Sequence, residues 1–233
     1  MSHKPSPPPR RTGPAKWIWR FVGWFLERLY QEWAWGYDAV ANFTSMGQWW
    51  RWQTAVQDEL PDGRWLELGF GTGRLLQRML AANKDVIGLD PSAQMVARTA
   101  KLLRDKGFQP PLVRGEAQHL PFSTESFQAV YATFPSDYFF EEQSVEEMWR
   151  ALEFGGKVVV VPYALITGRG IQDRLAAALY RLTGQSPSSL ETDWLDELVI
   201  PGFELSYSID HQQRADVLRV VLRKKAKIWR KPN

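Results

Sequence analysis

The sequence predicts an α/β fold, and three observations carry that expectation. Arg64 to Leu76, RWLELGFGTGRLL, runs from a buried strand through a glycine-dense turn straight into a helix. Asp85 to Asp90, DVIGLD, is a second short apolar strand that ends in an acid. A length of 233 residues with 44% hydrophobic content suits one α/β domain with additions.

Trp65, Leu66 and Leu68 form the apolar body of the first strand. Gly69, Gly71 and Gly73 then alternate before the helical pattern of Leu75, Leu76, Met79 and Leu80 begins. Glycines there permit positive φ and let a ligand lie against bare backbone. The following helix aims its free N–H groups and positive dipole end at the same turn. The dinucleotide spacing G-x-G-x-x-G fails, because Arg74 stands where a third glycine is required. What stands instead is G-x-G-x-G, with Glu67 two residues ahead of it. An acid on one side and helix N–H groups on the other suit a small zwitterion with an amino group and a carboxylate. An ordinary tight turn between strand and helix is the alternative use of the same residues.

This acid-apolar-GxGxG pattern resembles motif I of the class I S-adenosylmethionine (SAM) dependent methyltransferases. Three more stretches resemble that family in order and spacing. Asp90, 21 residues after Gly69, matches the acid that accepts the ribose hydroxyls; its other use is as a helix N-terminal acid ahead of Pro91 and Ser92. Gly115 to Phe122, GEAQHLPF, resembles the adenine motif, in which Glu116 and the backbone N–H of Ala117 would read the base; Glu116 replaces the commoner Asp. Ser126 to Phe134 and Glu147 to Val161 resemble the fourth strand, the next helix and the fifth strand, with Phe154-Gly155-Gly156 at the turn where Pro-Gly-Gly is usual. The resemblance is closest to the ubiquinone/menaquinone C-methyltransferase-like group and its bacterial phospholipid N-methyltransferase relatives. It implies a Rossmann-like, mostly parallel sheet of seven strands in the order 3-2-1-4-5-7-6, closed by an antiparallel hairpin near 202–222. The implied cofactor is SAM, with S-adenosylhomocysteine as product.

The chain has no cysteine, which excludes disulfides and thiolate chemistry and is compatible with a reducing cytoplasm. Its three histidines, His3, His119 and His211, lack metal-ligand spacing, so no metal is expected. Eleven of the 29 Lys and Arg fall in residues 1–20 and 223–233, which hold no acid; the other 18 face 26 Asp and Glu, a net of −8 for the body. Cationic ends on an anionic body disfavour nucleic acid and suit an anionic surface.

Residues 1–14 are proline-rich and basic and are expected to form a mobile arm. Residues 15–60 are expected to hold an amphipathic helix and a helical cap, ahead of a catalytic domain at 61–233 with a substrate insert at 163–200. On the helix, Trp17, Phe21, Trp24, Phe25 and Leu29 share one face and Lys16, Arg20 and Glu27 the other. Two readings fit it: packing on the body or a second copy, and an interfacial helix on an anionic membrane, peripheral on the inner face. It is too short in charge-free run to span a bilayer.

For the acceptor, Tyr37 resembles the tyrosine that sits over the methionine end of SAM in the same group. Thr133, Phe134, Ser136, Asp137 and Tyr138 follow the fourth strand, at the end of the sheet that faces the ligand crevice. Thr133 is assigned to the cofactor side; Tyr37, Asp137 and Tyr138 are the candidates to orient or deprotonate the acceptor. The expected function is methylation of a lipid or lipid-like acceptor at a membrane surface. The alternatives are a soluble small-molecule acceptor and a non-catalytic docking module, the last disfavoured by Glu67, the three glycines and Asp90.

Overall fold

A computed structural model describes residues 48–167, 170 and 192–225. The proline-rich arm, the tryptophan-rich helix with Tyr37, residues 168–169 and 171–191 of the expected substrate insert, and residues 226–233 lie outside the described residues.

The strands are β1 (Arg64–Leu68), β2 (Asp85–Asp90), β3 (Leu112–Arg114), β4 (Phe127–Thr133), β5 (Leu152–Val161), β6 (Ala164–Ile166), β7 (Phe203–Gln212) and β8 (Ala215–Lys224). The helices are α1 (Trp49–Thr54), α2 (Arg74–Ala81), α3 (Ala93–Asp105), α4 (Glu142–Ala151) and a single turn α5 (Asp193–Asp196). β3, β2, β1, β4 and β5 run side by side and parallel. β8 follows β5 antiparallel, and β7 pairs along the whole of β8. The Rossmann-like order is the one expected, with one addition: β6 continues the line of β5 past Pro162 and pairs with Ala215 to Val217 of β8.

Each parallel strand presents alternate residues to two apolar layers. Leu66 and Leu68 face a core with Leu89, Val130, Phe139 and Met148, while Trp65 and Tyr131 face one with Trp52, Leu75, Leu76 and Met79. α1 therefore belongs to the core: its Trp52, and Val56 just after it, are wholly buried. The segment behind it, a 3-10 turn at Gln57–Glu59, is tied to the sheet by Lys157, whose Nζ donates to the Glu59 carbonyl at 3.2 Å, and by Arg219, which donates to the Ala55 carbonyl at 2.9 Å.

Two local expectations are corrected. Phe154-Gly155-Gly156 is not a turn ahead of β5 but an irregularity within it, where the register jumps from Phe127↔Leu152 to Ala129↔Lys157. Lys224, counted with the cationic tail, is buried at 2% exposure; its Nζ donates to the Leu152 carbonyl at 2.7 Å and lies 4.2 Å over the Trp149 ring. Continuing the alternation of β8 carries that side chain inward, so its charge is not on the surface.

Candidate active site

The turn after β1 is built by left-handed glycines and held by the Asp90 carboxylate beneath it. Gly71 and Gly73 have φ of 52° and 72°, and Gly73 opens α2. A side chain on Gly73 would meet Thr99 Cγ2 at 2.1 Å, whereas nothing lies within 4 Å of the position a Cβ would take on Gly71. That open space above bare backbone is the room a ligand needs.

Asp90, at the end of β2, is wholly buried and fastens the turn from below. Its Oδ2 accepts from the Gly71 N–H at 2.9 Å and its Oδ1 from the Ser92 N–H at 2.9 Å. Thr99 of α3 donates its hydroxyl to the Gly71 carbonyl at 3.0 Å, so both ends of this residue are held. Ser92 in turn caps α3, its Oγ accepting from the Met95 N–H at 3.3 Å. Thr99 was missed in the sequence because it reads there only as one inward position of a helix.

Glu67 is 3% exposed and pairs in register with Tyr131 of β4, whose hydroxyl donates to Glu67 Oε2 at 3.1 Å. Burial pushes the Glu67 carboxyl up to about 8; the Tyr131 hydroxyl opposes that rise and the Asp90 charge adds to it. The same burial, with the Glu67 charge, pushes the Tyr131 phenol well above its ordinary range.

Tyr138 comes back to the turn from a 3-10 segment, Asp137–Phe140, after β4; a Cβ on Gly69 would lie 2.6 Å from its hydroxyl. The reversal that brings it there begins at Phe134, which holds a left-handed φ of 51° while its N–H still pairs with the Val161 carbonyl at 2.7 Å. Phe134 stacks on Trp49 at 4.2 Å, and Thr133 Oγ1 accepts from Gln53 Nε2 at 3.5 Å, so α1 is joined to the end of β4 twice.

Glu67, Gly69, Gly71, Gly73, Asp90 and Tyr138 thus gather around one turn. Glu116 and Ala117 lie on the loop after β3, beside Asp90, whose carbonyl accepts from the Gly115 N–H at 3.3 Å. Ala117 is buried and Glu116 exposed. Asp137 is exposed at the start of its 3-10 segment, and Tyr37 lies outside the described residues. Among the described residues no cluster of three or more His, Asp or Glu gathers that would hold a metal.

Residues 66–156 match the family described as methyltransferase domain, and the fold is that of a SAM-dependent methyltransferase from Thermotoga maritima, 20% identical, with a TM-score of 0.51 over 89% of this chain and 98% of that one. Residues 66–156 thus carry a methyltransferase domain. Two curated relatives of the domain are similar in sequence. Demethylmenaquinone methyltransferase of Renibacterium salmoninarum is 33% identical over 132 residues, 55% of this chain and 54% of that protein. Phosphatidylethanolamine N-methyltransferase of Cereibacter sphaeroides is 34% identical over 139 residues, 58% of this chain and 66% of that protein. The chain therefore spans between about half and two thirds of the length of these relatives.

Proposed function

We propose that this chain is a SAM-dependent methyltransferase acting at a membrane surface on a lipid or lipid-like acceptor, a phospholipid amine or an isoprenoid quinone. The observation that carries the reading is the open space over Gly71, whose N–H is held by the buried Asp90 carboxylate. The names of the two curated relatives support a lipid-like acceptor, and the cationic, tryptophan-rich N-terminal sequence supports an anionic surface. Among the described residues no helix is long and apolar enough to cross a membrane.

SAM supplies a methyl group on a sulfonium, which needs little activation beyond alignment with a nucleophile. In this reading the N–H groups of the first turn of α2 receive the cofactor carboxylate, and Glu67 favours its ammonium group. Asp90 faces the ribose, Glu116 and the Ala117 N–H face the adenine, and Thr133 closes the cofactor side. Tyr138, with Tyr37, orients the acceptor, and Asp137 at the rim takes a proton from an amine or hydroxyl acceptor.

Calorimetric titration of SAM and S-adenosylhomocysteine into the full chain and Asp90→Asn tests the cofactor site. Losing one charged acceptor from the turn is expected to weaken binding about tenfold or more. Folded wild type that binds neither ligand would overturn the assignment. Transfer of a tritiated methyl group is then assayed on vesicles containing phosphatidylethanolamine and on a demethylated naphthoquinol. Transfer to neither, with SAM bound, would set the lipid acceptor aside; failure of the full chain to pellet with anionic vesicles would remove the membrane surface.

A further inference from the structure

We propose that Glu67 and Tyr131 form a proton store beneath the glycine turn, which gives up its proton when the cationic cofactor binds and so favours SAM over S-adenosylhomocysteine. This inference rests on the reading that SAM occupies the turn.

The geometry points to it in three ways. The two residues stand directly opposite each other in the β1 to β4 register, both are buried, and among the described residues their polar tie is the 3.1 Å bond from the Tyr131 hydroxyl to the Glu67 carboxyl. The charged group that bears on Glu67 is Asp90 from β2, which is negative; Tyr131 faces it from β4, and α1 and α2 turn Trp52, Leu75 and Leu76 to the same layer. No described Lys or Arg pairs with it. A buried carboxylate without a cation is costly, so in the unliganded chain the carboxyl keeps its proton at neutral pH, as its rise to about 8 expresses.

SAM brings two positive charges, on its ammonium and sulfonium groups, and its demethylated product retains only the first. In a poorly solvated layer such charges act strongly over a few ångströms. On binding, the O–H bond of the Glu67 carboxyl breaks and the proton passes to solvent. The carboxylate left behind keeps the Tyr131 hydroxyl as its donor. Linkage fixes the sign: at a pH below about 8 binding releases a proton, so SAM affinity rises with pH and levels off above that value. Tyr131 acts through Glu67 as a positioning residue.

The test is calorimetric titration of SAM and S-adenosylhomocysteine into the full chain at neutral pH, in two buffers of different ionisation enthalpy, which counts protons exchanged. SAM is expected to release close to one proton and S-adenosylhomocysteine a smaller fraction. Glu67→Gln is expected to bind both ligands without proton release. Tyr131→Phe is expected to weaken SAM about tenfold at neutral pH, with the deficit shrinking as pH rises; a merely structural role would weaken both ligands equally at every pH. Absence of SAM binding by the wild type overturns the cofactor assignment itself. Binding with no proton exchange, or the same release from Glu67→Gln, overturns this proposal alone.

Discussion

Arg150 grips Glu147 one turn back on α4 through two contacts, Nε to Oε1 at 2.7 Å and Nη2 to Oε2 at 2.8 Å. The pair clamps the loop that carries Glu116 and Ala117. Arg150 also donates to the carbonyls of Phe122 and Leu120 at 2.8 and 3.0 Å, and Glu147 accepts from the Leu120 N–H at 2.8 Å. Bidentate, charge-assisted bonds of this kind hold a loop without a strand.

Arg150→Met is therefore expected to cost about 2–3 kcal/mol of stability, because two carbonyls and a carboxylate lose their donor. Urea denaturation measures the loss, and SAM affinity is expected to fall with it as the loop loosens. The pH dependence has a definite sign. The Arg150 hydrogen bonds hold the Glu147 carboxyl below its ordinary value of 4.5. Its stabilising contribution is thus complete above that value and lost as pH falls through the depressed one. Arg150→Met should flatten this acid-side decline.

Gly71 and Gly73 share a left-handed backbone but differ in what surrounds them. Gly73→Ala drives a methyl group into Thr99, which would sit 2.1 Å away, and adds backbone strain at φ 72°. A loss of about 3 kcal/mol or more is expected. Gly71→Ala meets nothing within 4 Å, so only the backbone term of about 1–2 kcal/mol applies. That variant should fold, yet lose SAM binding, because its methyl group fills the space over the turn. Denaturation and calorimetry on both variants separate the two effects.

The strand, the glycine turn and Asp90 were legible because their chemistry is local: alternation, positive φ and an acid at a strand end are all written within a few residues. What holds them was not. Tyr131 reaches Glu67 across 64 positions, Thr99 reaches Gly71 across 28, Arg150 reaches Leu120 across 30 and Lys224 reaches Leu152 across 72. In sequence Tyr131 is one more apolar residue of a strand and Arg150 one more base on a helix. Only the parallel register that sets Glu67 against Tyr131 gives the tyrosine a role. The irregularity at Gly155 and Gly156 was hidden for the same reason, since a bulge exists only relative to its partner strand.

Phe134 reverses the usual order of glycine and alanine. Its φ of 51° strains any side chain, and its ring is retained by the stack on Trp49 at 4.2 Å. Both Phe134→Ala and Phe134→Gly lose the stack, but only glycine relieves the backbone. Thermal denaturation should place the glycine variant about 1 kcal/mol above the alanine variant, although both fall below wild type. Alanine as the more stable of the two would mean that the backbone relaxes when the ring is gone.

Lys224 distinguishes a structural base from a surface one. Its Nζ is held by the Leu152 carbonyl at 2.7 Å, by the Trp149 ring at 4.2 Å and by Glu125 at 3.7 Å. Lys224→Met keeps most of the apolar stem but leaves that carbonyl without its donor and Glu125 without its countercharge. A loss of about 1–3 kcal/mol in urea denaturation is expected. Because the ammonium group is enclosed, removing it should leave attachment to anionic vesicles unchanged, whereas the adjacent Arg223 is exposed and Arg223→Glu should weaken any attachment that uses this end of the chain. A Lys224→Met protein of full stability that binds vesicles less well would show that the ammonium group reaches solvent.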